Sequence, residues 1–161
     1  MKKIIFLILG IAIFMTGCTA APTTTPLERS QMRTKTIEAD YDTTFRSLMT
    51  TLEDQGYTIE NTDMQTGLIK ASIEKSATDN WDKYLLGRTG IDTYEVSSTV
   101  TKINKNSTRV RINIREKTDI STSTQYGSNN TRTASEIDDP MIYQNLFNNL
   151  KTAIARTKAI K

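Results

Sequence analysis

The residue types that carry out most enzymatic chemistry are nearly absent from this sequence of 161 residues, which has no histidine and one cysteine, Cys18. The chain therefore lacks serine–histidine and cysteine–histidine nucleophile pairs, zinc sites built on these residues, and the side chain best suited to proton transfer near neutral pH. Asp138 and Asp139 are neighbours, but adjacent carboxylates rarely converge on one substrate. Glycine-rich phosphate loops are absent too. We expect a protein that is not an enzyme and has no catalytic residue, metal or cofactor.

Cys18 follows a segment with the three-part layout of a secretory signal peptide. Lys2 and Lys3 form its positive start, and an uncharged apolar run from Ile4 to Met15 follows. This run is too short for a permanent membrane span, and small residues precede the cysteine. The sequence MTGC resembles the bacterial lipobox, which implies cleavage before the cysteine and lipid on its new N-terminus. We predict that residues 1–17 are a lipoprotein signal peptide and that Cys18 carries the lipid anchor.

The expected anchor sets the location and charge of the mature chain. Thr19, instead of aspartate, follows the cysteine, and similarity to Gram-negative sorting patterns implies the outer membrane, facing the periplasm. Residues 18–32 are expected to be the lipidated N-terminus and a flexible tether, because TAAPTTTP is small, polar and interrupted by proline. The net charge of +3 falls by two, to +1, when Lys2 and Lys3 are removed, so nothing indicates a nucleic acid partner.

Residues 33–161 have the hydrophobic patterns of a single α+β domain. One helix should begin at Asp40 or Asp42 and end at Gly56. Another should begin at Asp139-Pro140, where an acceptor side chain precedes proline. Strands are expected around residues 34–39, 57–63, 68–75, 94–100 and 110–114. The order β-α-β-β-β-β-α predicts an antiparallel sheet of about five strands with two main helices packed on one face, a helix-grip-like fold.

The last two strands should form a hairpin whose register is set by their apolar residues. Pairing Val100 with Val110 places both apolar sets on one face, whereas a slip of one residue would separate them. The same register places Glu95 opposite Arg115 on the polar face. The link Asn104-Lys105-Asn106 suits a tight turn, because asparagine tolerates a left-handed backbone.

Two segments fall outside the regular pattern. Residues 76–90 form an insert, which Gly87 and Gly90 are expected to close. Residues 118–138 are rich in Ser, Thr and Asn, and they are expected to form a long exposed polar loop or a hairpin extension.

Two candidate partner surfaces follow from this arrangement. The insert holds three bulky residues at helical spacing, Trp81, Tyr84 and Leu85, which either cap the core or form a protruding contact. A basic stripe lies on the polar face of the last hairpin and contains Arg109, Arg111, Arg115 and Lys117. It is either a solvated face that keeps the sheet soluble or a contact for an acidic partner, phospholipid headgroups or anionic glycolipid.

Two stretches resemble a known family. FRSLMTTLEDQGYTIENTDMQTGLIKAS is similar to the repeated unit of lipoprotein component C of the outer-membrane β-barrel assembly machinery, in which a helix runs into a Gly-aromatic strand and an Asp- and Gly-containing turn follows. DPMIYQNLFNNL resembles the final helix of that unit. The resemblance extends from Arg33 to about Lys158 with one unit instead of two, and it implies a helix-grip fold in an envelope lipoprotein.

These observations favour a membrane-anchored envelope lipoprotein that acts as a non-catalytic interaction or assembly-accessory module with another envelope protein. The alternative is a carrier that binds a lipid or small molecule in a groove between the C-terminal helix and the sheet. The residues that would face this groove look bulky enough to fill it: Val96, Val100, Ile112, Leu146, Phe147 and Leu150. An enzyme would instead need carboxylates that converge with lysine or tyrosine in a cleft.

The lipidation hypothesis predicts the behaviour of the variant Cys18→Ser. Because the thiol is the only site for the diacylglyceryl thioether, we expect this precursor to remain unprocessed by the lipoprotein-specific peptidase and to incorporate no radioactive palmitate in cells. Labelling of the variant at the level of the parent chain would contradict the prediction.

Overall fold

The computed structural model describes residues 25–78, 83, 87–124 and 126–160. Cys18 and the insert residues Trp81, Tyr84 and Leu85 lie outside the described residues. The elements are α1 (Pro26–Arg33), β1 (Thr34–Ile37), α2 (Tyr41–Asp54), β2 (Thr58–Asp63), β3 (Leu68–Ser76), β4 (Arg88–Asn104), β5 (Ser107–Thr124), β6 (Gly127–Glu136) and α3 (Pro140–Ile160). Among these described helices, none combines the length and apolar character needed to span a membrane.

The scaffold is a six-stranded antiparallel sheet with the order β1-β5-β4-β3-β2, and β6 also pairs with β5. Because β4 occupies one edge of β5 along most of its length, β1 and β6 share the other edge. β1 pairs with residues 108–111 and β6 with residues 115–124, which leaves a notch between them. The predicted α+β class is confirmed, with one strand more than the expected five.

The register of the β4–β5 hairpin is the predicted one. Val100 lies opposite Val110, and Glu95 lies opposite Arg115. The reason given for the turn was wrong, since no described non-glycine residue has a positive φ angle. The side chain of Asn104 instead accepts a hydrogen bond from the backbone N–H of Asn106 at 2.9 Å, so an Asx-type contact holds the turn.

Both main helices begin and end where local chemistry requires it. Asp40, one of the two candidates, caps α2 by accepting a hydrogen bond from the Thr43 N–H at 2.9 Å. The chain leaves α2 at Gly56, after which the Tyr57 N–H donates to the Leu52 carbonyl at 3.0 Å. Asp139 accepts from the Met141 N–H at 2.8 Å at the start of α3. The apolar stripes of both helices pack in the same core cluster as the apolar residues of the sheet.

The core is filled where the carrier hypothesis needs a groove. The six residues expected to face this space are each no more than 4% exposed and belong to one cluster: Val96, Val100, Ile112, Leu146, Phe147 and Leu150. Close packing of this kind leaves little room for a lipid chain between α3 and the sheet. The interior therefore offers no support for a carrier.

Of the two alternatives for residues 118–138, the structure has the hairpin extension: residues 118–124 pair with β6, because the N–H and C=O groups on the edge of β5 bond to a strand that has almost no apolar pattern. Two expected boundaries differ from the structure. Gly90 lies inside β4 instead of closing the insert, and its carbonyl accepts a hydrogen bond from the Ala77 N–H at 2.9 Å. The end of the expected tether forms α1, which starts with a capping box between Thr25 and Glu28.

Gly67, in the β2–β3 turn, has no space for an added side chain. Its φ angle is 75°, and an added Cβ would overlap the Val100 carbonyl oxygen. We predict that Gly67→Ala lowers the free energy of unfolding by roughly 3 kcal/mol, as measured by urea denaturation. Gly127 also has a positive φ but no described atom within 4 Å of the added carbon, so Gly127→Ala should cost only about 1 kcal/mol. Equal losses in the two variants would contradict the assigned close approach.

Candidate partner-binding surface

The sheet has a polar face, formed by the residues that alternate with the core positions on β4 and β5. Burial along β5 alternates through the core section, where Val110, Ile112 and Ile114 are buried and their neighbours are more accessible. The polar face of this hairpin consists of Thr99, Thr101, Arg109, Arg111, Asn113, Arg115 and Lys117. The basic stripe predicted from the sequence therefore lies on one surface of the folded domain.

Two members of the stripe already have acidic neighbours. Lys117 Nζ lies 2.5 Å from a carboxylate oxygen of Glu95, diagonally across the β4–β5 pair. Arg115 lies 3.8 Å from Glu136 on β6. Such exposed pairs contribute little to stability, but they neutralise the charge locally. This half of the stripe is therefore a mixed-charge surface, and Arg115 is a weaker candidate for an acidic partner than the sequence indicated.

Arg109 and Arg111 form the part of the stripe that remains positively charged. Both are exposed, and within the described part of the chain neither lies within 4.0 Å of a carboxylate oxygen. Their separation of two residues puts them about 7 Å apart on the same side of β5. We call these two residues the arginine pair.

Hydroxyl-bearing residues border the arginine pair on both neighbouring strands. Arg111 lies between Thr34 of β1 and Thr99 of β4. Arg109 lies between Thr36 of β1 and Thr101 of β4. Guanidinium groups bind carboxylates and phosphates through paired hydrogen bonds, and threonine hydroxyls can donate further ones. The arrangement is suited to binding an anionic surface.

A shallow groove of about 330 Å³ crosses the same face beside the arginine pair. Its charged lining alternates in sign from strand to strand and comprises Glu60, Lys70, Glu95, Arg115 and Glu136. Within the described residues, no group of three or more acidic, histidine or cysteine side chains is placed to hold a metal ion. The groove can make polar contacts to a partner, and its mixed charge does not select one sign of ligand.

A buried arginine at the end of α1 closes the notch between β1 and β6. Arg33 donates to Asn113 at 2.9 Å, to Glu136 at 3.0 Å and to Asp138 at 2.6 Å. Its guanidinium carbon lies 6.0 Å from the centre of the Tyr143 ring. Desolvation opposes the charged form, but the bonds to Glu136 and Asp138 outweigh it, so the pKa of Arg33 is raised. We call this group the Arg33 cluster.

The hydroxyl of Tyr143 completes the backbone pairing in the same notch. It accepts a hydrogen bond from the Ile114 N–H at 3.2 Å and donates to the Ile137 carbonyl at 2.9 Å. The Ile137 N–H in turn donates to the Ile114 carbonyl at 3.0 Å. Backbone groups that neither β1 nor β6 reaches are thus satisfied, as buried polar groups require. This contact joins α3 to the backbone of β5.

The structure places the sequence-predicted site residues in three different situations. Arg109 and Arg111 are together and unpaired among the described residues, whereas Arg115 is separated from Arg111 by about 13 Å along β5. Trp81, Tyr84 and Leu85 cannot be compared because they lie outside the described residues. The Arg33 cluster was not expected, since its partners lie 80 to 105 residues away in sequence and no local motif announces them.

Comparison with known proteins finds one family. A family model described as outer membrane protein assembly factor BamC-like C-terminal domain matches residues 27–127, which is more than half of the chain. The matched range begins within α1 and ends at the first residue of β6. The resemblance predicted from the sequence is confirmed. No curated protein matches the chain.

The Arg33 cluster predicts a stability difference between two arginine substitutions. Arg33→Met removes the shared buried cation and leaves only the longer ion pairs, of 3.8 Å between Arg115 and Glu136 and of 3.7 Å between Arg29 and Asp138. We expect it to lower the free energy of unfolding by about 2 kcal/mol. The loss is smaller than for a fully buried pair because the two carboxylates are 41% and 34% exposed. Arg109→Met, on the open face, should change it by less than about 0.5 kcal/mol. Urea denaturation measures both, and equal stabilities would contradict the role assigned to Arg33.

Proposed function

The chain belongs to the family of BamC-like C-terminal domains of outer membrane protein assembly factors, and from this membership we propose that it is a non-catalytic accessory module for assembly in the bacterial envelope. Its partner would be another envelope protein, which binds the polar face of the sheet. The arginine pair is the observation that carries this proposal, because it is an exposed positive patch with no carboxylate oxygen of the described residues within 4.0 Å. We expect the partner to offer carboxylates at this contact.

The charge pattern supports a protein partner that docks in one orientation. The arginine pair attracts an acidic surface, while the neighbouring groove presents both signs of charge at Lys70 and Glu95. A partner with the wrong alignment would bring like charges together, which disfavours other orientations. Exposed ion pairs at such a rim affect the rate of association more than the final affinity.

The titratable groups support a role without catalysis. A hydrogen bond to Glu116, together with partial burial, raises the pKa of Tyr94 to about 12. A phenol with this pKa stays protonated near neutral pH and is a poor general base, since efficient proton transfer needs a pKa near the working pH. Glu95 forms an ion pair with Lys117, and Glu136 and Asp138 form ion pairs with Arg33.

A lipid on Cys18 would keep this surface close to the membrane. The first described residue is Thr25, whose capping box with Glu28 begins α1. A fully extended chain from Cys18 to Thr25 covers at most about 25 Å. The proposed location is the periplasmic side of the outer membrane, where a link of this length would hold the start of α1 within about 25 Å of the lipid headgroups.

Photo-crosslinking in cells tests the proposed partner surface. A benzoylphenylalanine placed at Arg111 should form an adduct with a specific envelope protein, which mass spectrometry identifies. The same probe at Arg156, an exposed residue on α3, should not form this adduct. Charge reversal at Arg109 should reduce the Arg111 adduct about tenfold, because the acidic partner would then be repelled.

A matched variant separates the arginine pair from net charge. Lys105→Glu with Arg156→Glu makes the same change in charge as Arg109→Glu with Arg111→Glu, at exposed positions outside the pair. We expect only the second double variant to stop copurifying with the partner. Equal losses in both variants, or adducts with lipid alone at Arg111, would contradict an acidic protein partner on this face.

A further inference from the structure

We propose that the groove between the free edge of β1 and α3 binds an extended acidic segment of another protein, which adds to the sheet as a further strand. This inference goes beyond the function proposed above, because the groove is separate from the arginine pair and takes a different form of partner. We call it the edge groove. Its walls are β1 with Glu38 on one side and α3 on the other.

The edge groove runs along much of α3. One section, of about 460 Å³, is lined by Lys35, Phe147 and Lys151, and the next section, of about 470 Å³, is lined by Lys151, Ile154 and Lys158. Both sections include Lys151, so they adjoin at this residue. The edge groove differs from the closed interior considered for a lipid carrier, because it is open along the surface and has lysines on its rim.

The strand wall of the edge groove is an open edge of the sheet. β1 is the last strand in the order β1-β5-β4-β3-β2, so no described strand pairs with its outer edge. Alternate N–H and C=O groups of an edge strand point outward and can pair with another extended chain. Peptide-binding domains that use strand addition place the peptide beside such an edge, where main-chain hydrogen bonds give affinity.

The charge of the edge groove identifies the chemistry of its occupant. Lys35 and Lys151 are exposed, and in the described part of the chain neither makes an ion pair. Lys158 Nζ donates to the Glu38 carbonyl at 2.7 Å, and no carboxylate of the described residues compensates its positive charge. Glu38 is the one acidic residue in the lining of either section. An extended segment with acidic side chains complements this rim.

The floor of the edge groove suits a strand with alternating side chains. Tyr143, Phe147 and Ile154 are buried but line the two sections. Successive side chains of a strand point to opposite sides, so one alternate set of the bound segment would face the groove. Lys35 lies opposite Val110, on the core side of the sheet, and Lys151 belongs to α3, so acidic residues in this set would reach either lysine across the apolar floor. The edge of β6 offers no such features, because all ten of its residues are exposed.

The chain's own tether does not meet these requirements. Residues 19–24 contain no carboxylate, so they cannot complement the lysines. A second copy of the chain would have to insert an edge strand, and β6 carries one arginine and one glutamate among its ten residues. The other edge strand, β2, has two carboxylates, but Glu60 and Asp63 already accept hydrogen bonds from Ser72 and Thr66. A segment of another protein therefore fits the charge of the edge groove better than either occupant from this chain.

Peptide binding followed by NMR tests the edge groove. The probes are fluorescein-labelled ten-residue peptides in which glutamate alternates with valine, and control peptides in which lysine replaces glutamate. We expect saturable binding of the acidic peptides, with amide shifts at residues 34–38 and along α3. Lys35→Glu with Lys151→Glu should weaken this binding at least about tenfold. Lys105→Glu with Arg156→Glu, the matched change in charge, should leave it within about twofold.

Methylated peptides test whether the contact is a strand pairing. Methylation of one alternate set of peptide amides should abolish binding and methylation of the other set should not, because only one set faces β1. Arg109→Glu with Arg111→Glu should not affect the peptide, so the outcome is independent of the partner surface proposed above. Five outcomes would overturn the proposal. Two concern binding: no saturable binding, or equal binding of the lysine peptides. The others are amide shifts confined to β6, no effect of either methylation, and self-association of the chain that shifts the same amides.

Discussion

The pairing of β4 with β5 is the constraint on which the other elements depend. These strands pair from Arg88 opposite Thr122 to Asn104 opposite Ser107, and they form the centre of the sheet. β3 is added to one side, and β1 and β6 to the other. A slip of one residue would move Val110 to the polar face and Arg111 into the core, where an unpaired charge costs several kcal/mol. The register therefore determines which face packs on the helices and which face is available to a partner.

Strands in which apolar and polar residues alternate were predictable from the sequence, and a strand without this alternation was not. Val96, Val100 and Val110 alternate with polar residues, which sets both the register and the buried face. β6 has no such pattern in GSNNTRTASE, because its structure comes from hydrogen bonding to the edge of β5 and not from burial. The Thr25 capping box is a local signal, but the proline-containing composition around it favoured a flexible tether.

Long-range polar contacts lie beyond what a single sequence indicates. Arg33 is at the end of an eight-residue helix, and arginine side chains are usually exposed, yet this residue is only 6% exposed. Its partners come from β5, β6 and the segment before α3, and only the folded chain brings them together. The same limit applies to the edge groove, whose strand wall and helix wall are more than a hundred residues apart in sequence.

The short link before α1 has a consequence for how tightly a partner must bind. With lipid on Cys18, the domain would sample only a thin layer beside the membrane, and a partner held in that membrane would meet it at an effective concentration on the order of millimolar. Under such confinement, contacts that are individually weak in solution would be occupied most of the time. A longer flexible link in place of the helix that begins at Pro26 would lower this effective concentration. The helix would therefore help to keep the avidity for membrane-held partners high.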